Sequence, residues 1–159
     1  MNEQKIQIGI SEVLQFAIKI EENGWDFYKK FSDLVGNEEV KKLFVMLADD
    51  ELDHKKIFEE MLQKIEKYEP KGVYPPEYFA YLRAYADNIV FKKGLEEELK
   101  KEMDVPSILD FGMKIELDSI NYYQETKNFV PTNQKNIIDK IIGEERKHFL
   151  KLSDLKNSL

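Results

Sequence analysis

The sequence contains no cysteine. Disulfides, thiolate nucleophiles, iron–sulfur clusters and thiolate-held zinc or iron are therefore excluded, and any metal must be bound by carboxylate and imidazole. Those donors suit iron or manganese better than a thiolate-preferring metal. Glycine and proline are scarce, at seven and five residues in 159, which leaves room for long uninterrupted helices. No apolar run approaches the roughly 20 residues of a membrane-spanning helix, and the polar stretch Met1–Lys5 lacks the pattern of a signal peptide. A net charge of −7 argues against nucleic acid or an anionic membrane as a partner. Charged residues make up 35% of the chain and hydrophobic ones 42%, the balance of a globular protein with a real core. A single domain over residues 1–159 and a cytoplasmic location are expected.

Only two histidines are present, and each follows a glutamate by three positions, in Glu51-x-x-His54 and Glu145-x-x-His148. On a helix, positions i and i+3 project from one face, so each pair aims a carboxylate and an imidazole the same way. The surrounding chain repeats as well. Residues 11–35 read as a helix with Ser11 as N-cap and Gly36 at its end. A second helix runs from about 38 to 67 and stops before Pro70. A third starts at Pro106 and reaches about Val130, and a fourth covers about 134–156.

The helical stripe of the first helix (Leu14, Ala17, Glu21, Gly24, Tyr28, Phe31, Val35) returns 95 positions later as Leu109, Gly112, Glu116, Ser119, Tyr123, Thr126 and Val130. The second stripe (Val40, Phe44, Leu47, Glu51, His54, Phe58, Met61) returns 94 positions later as Gln134, Ile138, Ile141, Glu145, His148, Leu152 and Leu155. The chain is thus two copies of one helical hairpin. Glu21 lies 15 residues before Gly36 and Glu51 lies 15 after it, while Glu116 and Glu145 stand 15 before and 14 after Pro131. At a rise of about 1.5 Å per residue each pair meets roughly 22 Å from its turn.

All four glutamates sit in apolar stripes that carry no Lys or Arg. A buried carboxylate must be neutralised, paired or metal-bound. One Glu from each of two helices and a Glu-x-x-His from each of the other two form a donor set for two divalent metals in a bundle core. Glu51 and Glu145 are expected to bridge, with Glu21 and Glu116 terminal on opposite metals and one of His54 and His148 on each. Two iron ions, two manganese ions or a mixed iron–manganese pair are each compatible with these donors. Tyr28 and Tyr123, each seven residues after a ligand Glu, are the candidate catalytic-site residues beyond the ligands, with hydroxyls in reach of a ligand carboxylate on a facing helix. Gly24 and Ser119, one turn after Glu21 and Glu116, either leave room for a small oxidant or let helices approach closely, and the second reading is favoured. Asp49, Asp50, Asp53 and Glu22 read as a solvated charged face.

Together, Glu21 to Tyr28, Glu51-x-x-His54, Glu116 to Tyr123 and Glu145-x-x-His148 resemble the ferritin-like di-iron carboxylate superfamily. The stretches Ala17–Gly24 and Leu47–His54 are most similar to its rubrerythrin-like branch. The resemblance spans all four helices. It implies an all-α, ferritin-like four-helix bundle with a crossover, a di-iron centre and reduction of hydrogen peroxide or O2, an oxidative-stress role. Two departures stand out. Typical rubrerythrins carry a rubredoxin-like iron site with four cysteines; here there are none, so electrons are expected from a separate donor such as a rubredoxin-like protein. They also carry an extra Glu where this chain has Ser119, and the remaining six-ligand set is nearer to bacterioferritin-like sites. A ferroxidase or iron-handling protein and a non-catalytic, metal-stapled interaction or sensor module are the alternatives, and a homodimer is the expected assembly.

The connector from Tyr68 to Val105 must travel the length of the bundle, because the crossover is parallel. A short helix opening at Pro75-Pro76-Glu77 and reaching about Phe91 carries Tyr78, Phe79, Tyr81, Leu82 and Tyr85, expected to cap one end of the bundle, with a dimer contact or a guarded access path as the other readings. Lys92–Met103 reads as a charged helix, with Glu96–Glu98 as a solvated face.

Overall fold

The computed structural model describes residues 2–64, 76–85, 88 and 104–159. Five α-helices account for nearly all of them, with no strand among the described residues: α1 (Asn2–Leu34), α2 (Glu38–Lys64), α3 (Pro76–Tyr85), α4 (Val105–Thr126) and α5 (Thr132–Ser158). Much of the connector reading, namely Tyr68–Pro75, the extension toward Phe91, Lys92–Met103 and the side chain of Phe79, lies outside the described residues. No described helix is long and apolar enough to cross a membrane.

The ends of the helices follow from local chemistry, with two corrections to the sequence reading. Ser11 is not an N-cap. The helix runs on from Asn2 because the residues before Ser11 include no proline and a single glycine, and a serine inside a helix costs only a few tenths of a kcal/mol. Its hydroxyl instead accepts from Gln15 Nε2 at 3.3 Å. The cap that does close a helix start is Asn37, whose Oδ1 accepts from the backbone N–H groups of Glu39 and Val40 at 3.0 and 3.1 Å. At the head of α4, Asp104 accepts from Ser107 N at 2.7 Å, with Pro106 in the first turn. The second correction concerns the end of α4. It gives way at Thr126 to a 3-10 turn over Lys127–Phe129, a tightening that brings the chain round to Pro131.

Helices α1 and α2 form one antiparallel hairpin and α4 and α5 the other. Contacts between the hairpins set their relative direction. Tyr28 of α1 reaches Glu116 of α4, and Tyr123 of α4 reaches Glu21 of α1. Numbers rise along one helix as they fall along the other, so α1 and α4 are antiparallel. Likewise His54 reaches Glu144 and Asp50 reaches His148, which makes α2 and α5 antiparallel. Hence α2 and α4 run parallel, as a long crossover requires.

Every stripe position named above is buried except Leu155, which is half-buried. The core divides into two apolar clusters along the bundle axis. One gathers Leu14, Ala17, Phe58, Tyr122, Ile138 and Ile141 with their neighbours, and the other Phe27, Phe31, Phe44, Leu47, Leu109 and Leu152 with theirs. Each large side chain taken from water contributes about 1.5–3 kcal/mol. Between the clusters lies the layer that holds Glu21, Glu51, His54, Glu116, Glu145 and His148.

Candidate metal centre

The repeat places one carboxylate of α1 and one of α4 opposite the Glu-x-x-His faces of α2 and α5, so one chain supplies all six groups. None is more than 3% exposed. Their donor atoms form two overlapping quartets, Glu21–Glu51–His54–Glu145 and Glu51–Glu116–Glu145–His148, each with its atoms within 4.8 Å of one another. The overlap falls on Glu51 and Glu145. Glu145 faces both imidazoles, with Oε1 2.8 Å from His54 Nδ1 and Oε2 3.2 Å from His148 Nδ1. Glu21 stands 3.6 Å from His54 Nδ1, and Glu116 stands 3.6 Å from His148 Nδ1. The two rings lie 6.0 Å apart and nearly parallel.

The carboxylates are short of partners. Glu21 Oε2, both oxygens of Glu51 and Glu116 Oε2 are buried without a hydrogen bond, and among the described residues only Gln134 Oε1 shares that condition. Leaving such oxygens bare costs several kcal/mol unless a cation meets them. Burial pushes Glu51 well above the usual carboxylate range, with Glu21 and Glu116 adding to it. It does the same to Glu116, helped by Glu145, and raises Glu21 as well. Glu145 is held below that range: burial and Glu51 push it up, but the proximity of Glu116 and of both imidazoles outweighs them. Burial works against charge on the imidazoles, yet the neighbouring carboxylates of Glu145 and Glu21 push His54 up to about 12. His148 is raised too, by Glu116, Glu145 and Glu51 against its own burial. These directions describe a pocket that demands positive charge. Protons meet the demand in part, and metal binding would displace them. The buried, oxygen-rich donor set with two imidazoles fits a pair of hard or borderline divalent ions.

Tyr28 Oη donates to Glu116 Oε1 at 2.6 Å, and Tyr123 Oη donates to Glu21. Each tyrosine thus fixes the α1 or α4 carboxylate of the other helix. Burial raises both phenols well above their usual range, with Glu116 adding most to Tyr28 and Glu21 to Tyr123, so both stay protonated donors. At Gly112 a Cβ would lie 3.3 Å from Leu152 Cδ1 and 3.4 Å from Tyr28 Cε1, so both side chains pack closely over that position.

Two residues have roles that differ from the sequence reading or escaped it. Asp50 is not merely part of a solvated face: its Oδ2 lies 3.0 Å from His148 Nε2. Glu144 does the same for His54, at 2.5 Å from Nε2. Both carboxylates are about two-fifths exposed. Holding the proton on Nε2 leaves the Nδ1 lone pair of a neutral imidazole facing inward. The signal was available as an acidic residue directly before each Glu-x-x-His, repeated 94 positions apart. Asp49 and Asp53 are exposed as expected, and Glu22 pairs with Lys19 and Lys55. Gly24 faces Glu51 of α2 across a close approach of the two helices. A Cβ at that position would sit 2.9 Å from Glu51 Oε2, so the missing side chain is the space the Glu51 carboxylate occupies. Ser119 is buried, and its hydroxyl donates to Ile115 O at 2.8 Å.

Neither the curated proteins nor the solved structures contain a significant match to this chain. The family model described as Rubrerythrin matches residues 12–156, from the first part of α1 to the last turns of α5. A match of that extent takes in both hairpins and all six converging residues, and by it the chain belongs to the rubrerythrin family.

Proposed function

We propose that this protein is a di-iron oxidoreductase that reduces hydrogen peroxide or O2 with electrons from an external donor. The observation that carries the reading is the pair of quartets sharing Glu51 and Glu145, with four glutamate oxygens lacking any hydrogen bond. Glu21 and His54 would hold one ion, Glu116 and His148 the other, and Glu51 and Glu145 both. A pair of redox-active ions, when bound, supplies electrons to an oxygen–oxygen bond. The chain's own residues do the rest. Asp50 and Glu144 keep the imidazoles turned with Nδ1 inward, Tyr28 and Tyr123 hold the terminal carboxylates, and the two apolar clusters keep bulk water from the layer between them. With no cysteine in the sequence, the electron source is a separate small reductant or a rubredoxin-like protein. We place the activity in the cytoplasm of a homodimeric protein.

Ser119, at the position of the extra glutamate of typical rubrerythrins, favours one second reading: oxidation of Fe(II) as cargo for storage or detoxification. Anaerobic titration of the metal-free protein with Fe(II), followed by hydrogen peroxide and absorption spectroscopy, separates the two. The oxidoreductase binds about two irons per chain, changes spectrum on peroxide addition, and loses both properties in Glu51→Ala and His148→Ala. Continued oxidation of many irons per chain supports iron handling. Tight binding without a redox response supports a structural or sensing metal, and no binding overturns the metal reading.

A further inference from the structure

Asp50 and Glu144 lie on the α2–α5 seam, and the other sides of the metal layer are built differently. Along the bundle axis the layer is plugged by rings, Phe44 against Tyr28 at 5.2 Å and Phe58 against Tyr123 at 4.9 Å. Between α1 and α4, Phe27 packs on Phe111 at 4.9 Å. Lysines cross two further seams, Lys55 to Glu22 between α1 and α2 and Lys156 to Asp110 between α4 and α5. A fixed ammonium repels an incoming cation. On the α2–α5 seam, Lys151 turns its ammonium to Met46 Sδ at 3.8 Å, one turn beyond His148. The carboxylates of Asp50 and Glu144 meet the imidazoles instead.

The imidazoles are the wall at this seam. They are the most exposed of the six groups, His54 at 2% and His148 at 3%. On the outer side of His148, Nε2 lies 3.0 Å from Asp50 Oδ2. On the inner side, Nδ1 lies 3.2 Å from Glu145, 3.6 Å from Glu116 and 3.7 Å from Glu51. Both oxygens of Glu51 and Oε2 of Glu116 are buried without a hydrogen bond. One ring thus separates a partly solvated carboxylate from buried oxygens that lack a partner. The outer pair could itself hold an ion for a time. An oxygen and a nitrogen 3.0 Å apart suit neighbouring positions on a divalent ion with bonds of about 2.1 Å, once the ring proton has left.

We propose that the α2–α5 seam is the port through which divalent ions enter and leave the buried layer, with Asp50 and Glu144 as capture ligands and His148 and His54 as the movable wall. The inference rests on the metal-centre reading above and adds a path to it. An ion from solvent exchanges water for the Asp50 carboxylate and Nε2 of His148. The ring then swings about its Cα–Cβ bond and returns with Nδ1 on the ion, while Glu116, Glu51 and Glu145 receive it from inside. Protons displaced from the ring go to water, and one returns to Nε2 when it faces Asp50 again. Glu144 and His54 do the same for the second ion. No electron moves.

The test is anaerobic stopped-flow binding of Co(II) to the full metal-free chain, followed by visible absorbance, with release measured into excess chelator. Asp50→Asn and Glu144→Gln each keep an acceptor oxygen at Nε2 and remove only the charge. Uptake of one ion should slow by about tenfold in each variant, and release should slow by a similar factor. Affinity should then change far less than either rate, because a port acts on the path and not on its end states. Thermal melts of the metal-free variants check the fold. Unchanged rates in both variants overturn the proposal and leave the metal centre standing. Faster release with normal uptake also overturns it, since that is the mark of a residue that only orients the ring. An equal slowing in Asp49→Asn, an exposed neighbour, shows general attraction by surface charge and overturns it too. Failure of the unaltered chain to bind Co(II) overturns the proposal together with the metal reading.

Discussion

Gly24→Ala isolates the metal centre from the stability of the bundle. The added Cβ would lie 2.9 Å from Glu51 Oε2, 3.1 Å from Cδ and 3.3 Å from Cγ. All three of these nearest atoms belong to the Glu51 side chain, so that side chain must turn away. The movement breaks no hydrogen bond, because neither Glu51 oxygen has one. Its cost is a displaced rotamer, about 0.5–1.5 kcal/mol. Against it stands the gain from replacing a helical glycine by alanine, about 1 kcal/mol. The metal-free variant should therefore unfold within a few degrees of the unaltered protein, since 1 kcal/mol moves the midpoint of a chain this size by about 2–4 °C. Metal binding should respond quite differently. Glu51 belongs to both quartets, so misdirecting it should weaken both ions by about 10–100-fold, or about 1.4–2.7 kcal/mol each. Thermal unfolding of the metal-free proteins and anaerobic calorimetric titration with Fe(II) or Mn(II) measure the two quantities separately. Gly143→Ala is the control, because a Cβ there meets nothing within 4 Å. It should gain helix stability and bind metal normally. Unchanged affinity in Gly24→Ala would refute the assignment of that gap to the Glu51 carboxylate.

Other perturbations separate orientation from ligation. Asp50→Ala and Glu144→Ala should each lower metal affinity by about 10–100-fold while leaving the metal-free melting curve nearly unchanged, because both carboxylates are partly solvated; equal affinity in titrations would rule out their hold on the imidazoles. Tyr28→Phe removes the donor to Glu116 Oε1 and should destabilise the metal-free chain by about 1–3 kcal/mol, read by denaturant unfolding. Saturating metal should raise the melting temperature and a chelator should reverse it, with a gain of about 2.7 kcal/mol for each ion bound at a free-metal concentration 100-fold above its Kd; a melt indifferent to metal would contradict the buried site.

Tertiary geometry explains which expectations needed revision. The hairpin repeat was readable because both copies keep one helical register, and a buried face imposes the same spacing wherever it recurs. Ser11 misled because capping preference is a local tendency, easily overridden when the preceding residues also favour helix. Asp50 misled for the opposite reason. Along its own helix it stands beside exposed Asp49, and its partner His148 is 98 positions away. The role of Gly24 depends on how closely α1 approaches α2, a distance no single stripe encodes. The α3 aromatic face was visible as a pattern, but its stacking on Tyr122 and Phe129 emerged only once the helix was set against α4.

By itself, then, the amino-acid order determined which residues turn inward: periodicity alone obliges Glu21, Glu51, His54, Glu116, Glu145 and His148 to share the apolar stripes, at matching heights from two turns. Only the packed bundle decided what each meets there. Antiparallel pairing of α1 with α4 and of α2 with α5 crosses Tyr28 to Glu116, Tyr123 to Glu21, Asp50 to His148 and Glu144 to His54. Contacts between helices depend on direction, distance and rotation in space, and one strand of sequence specifies none of these until the helices bury their faces against one another.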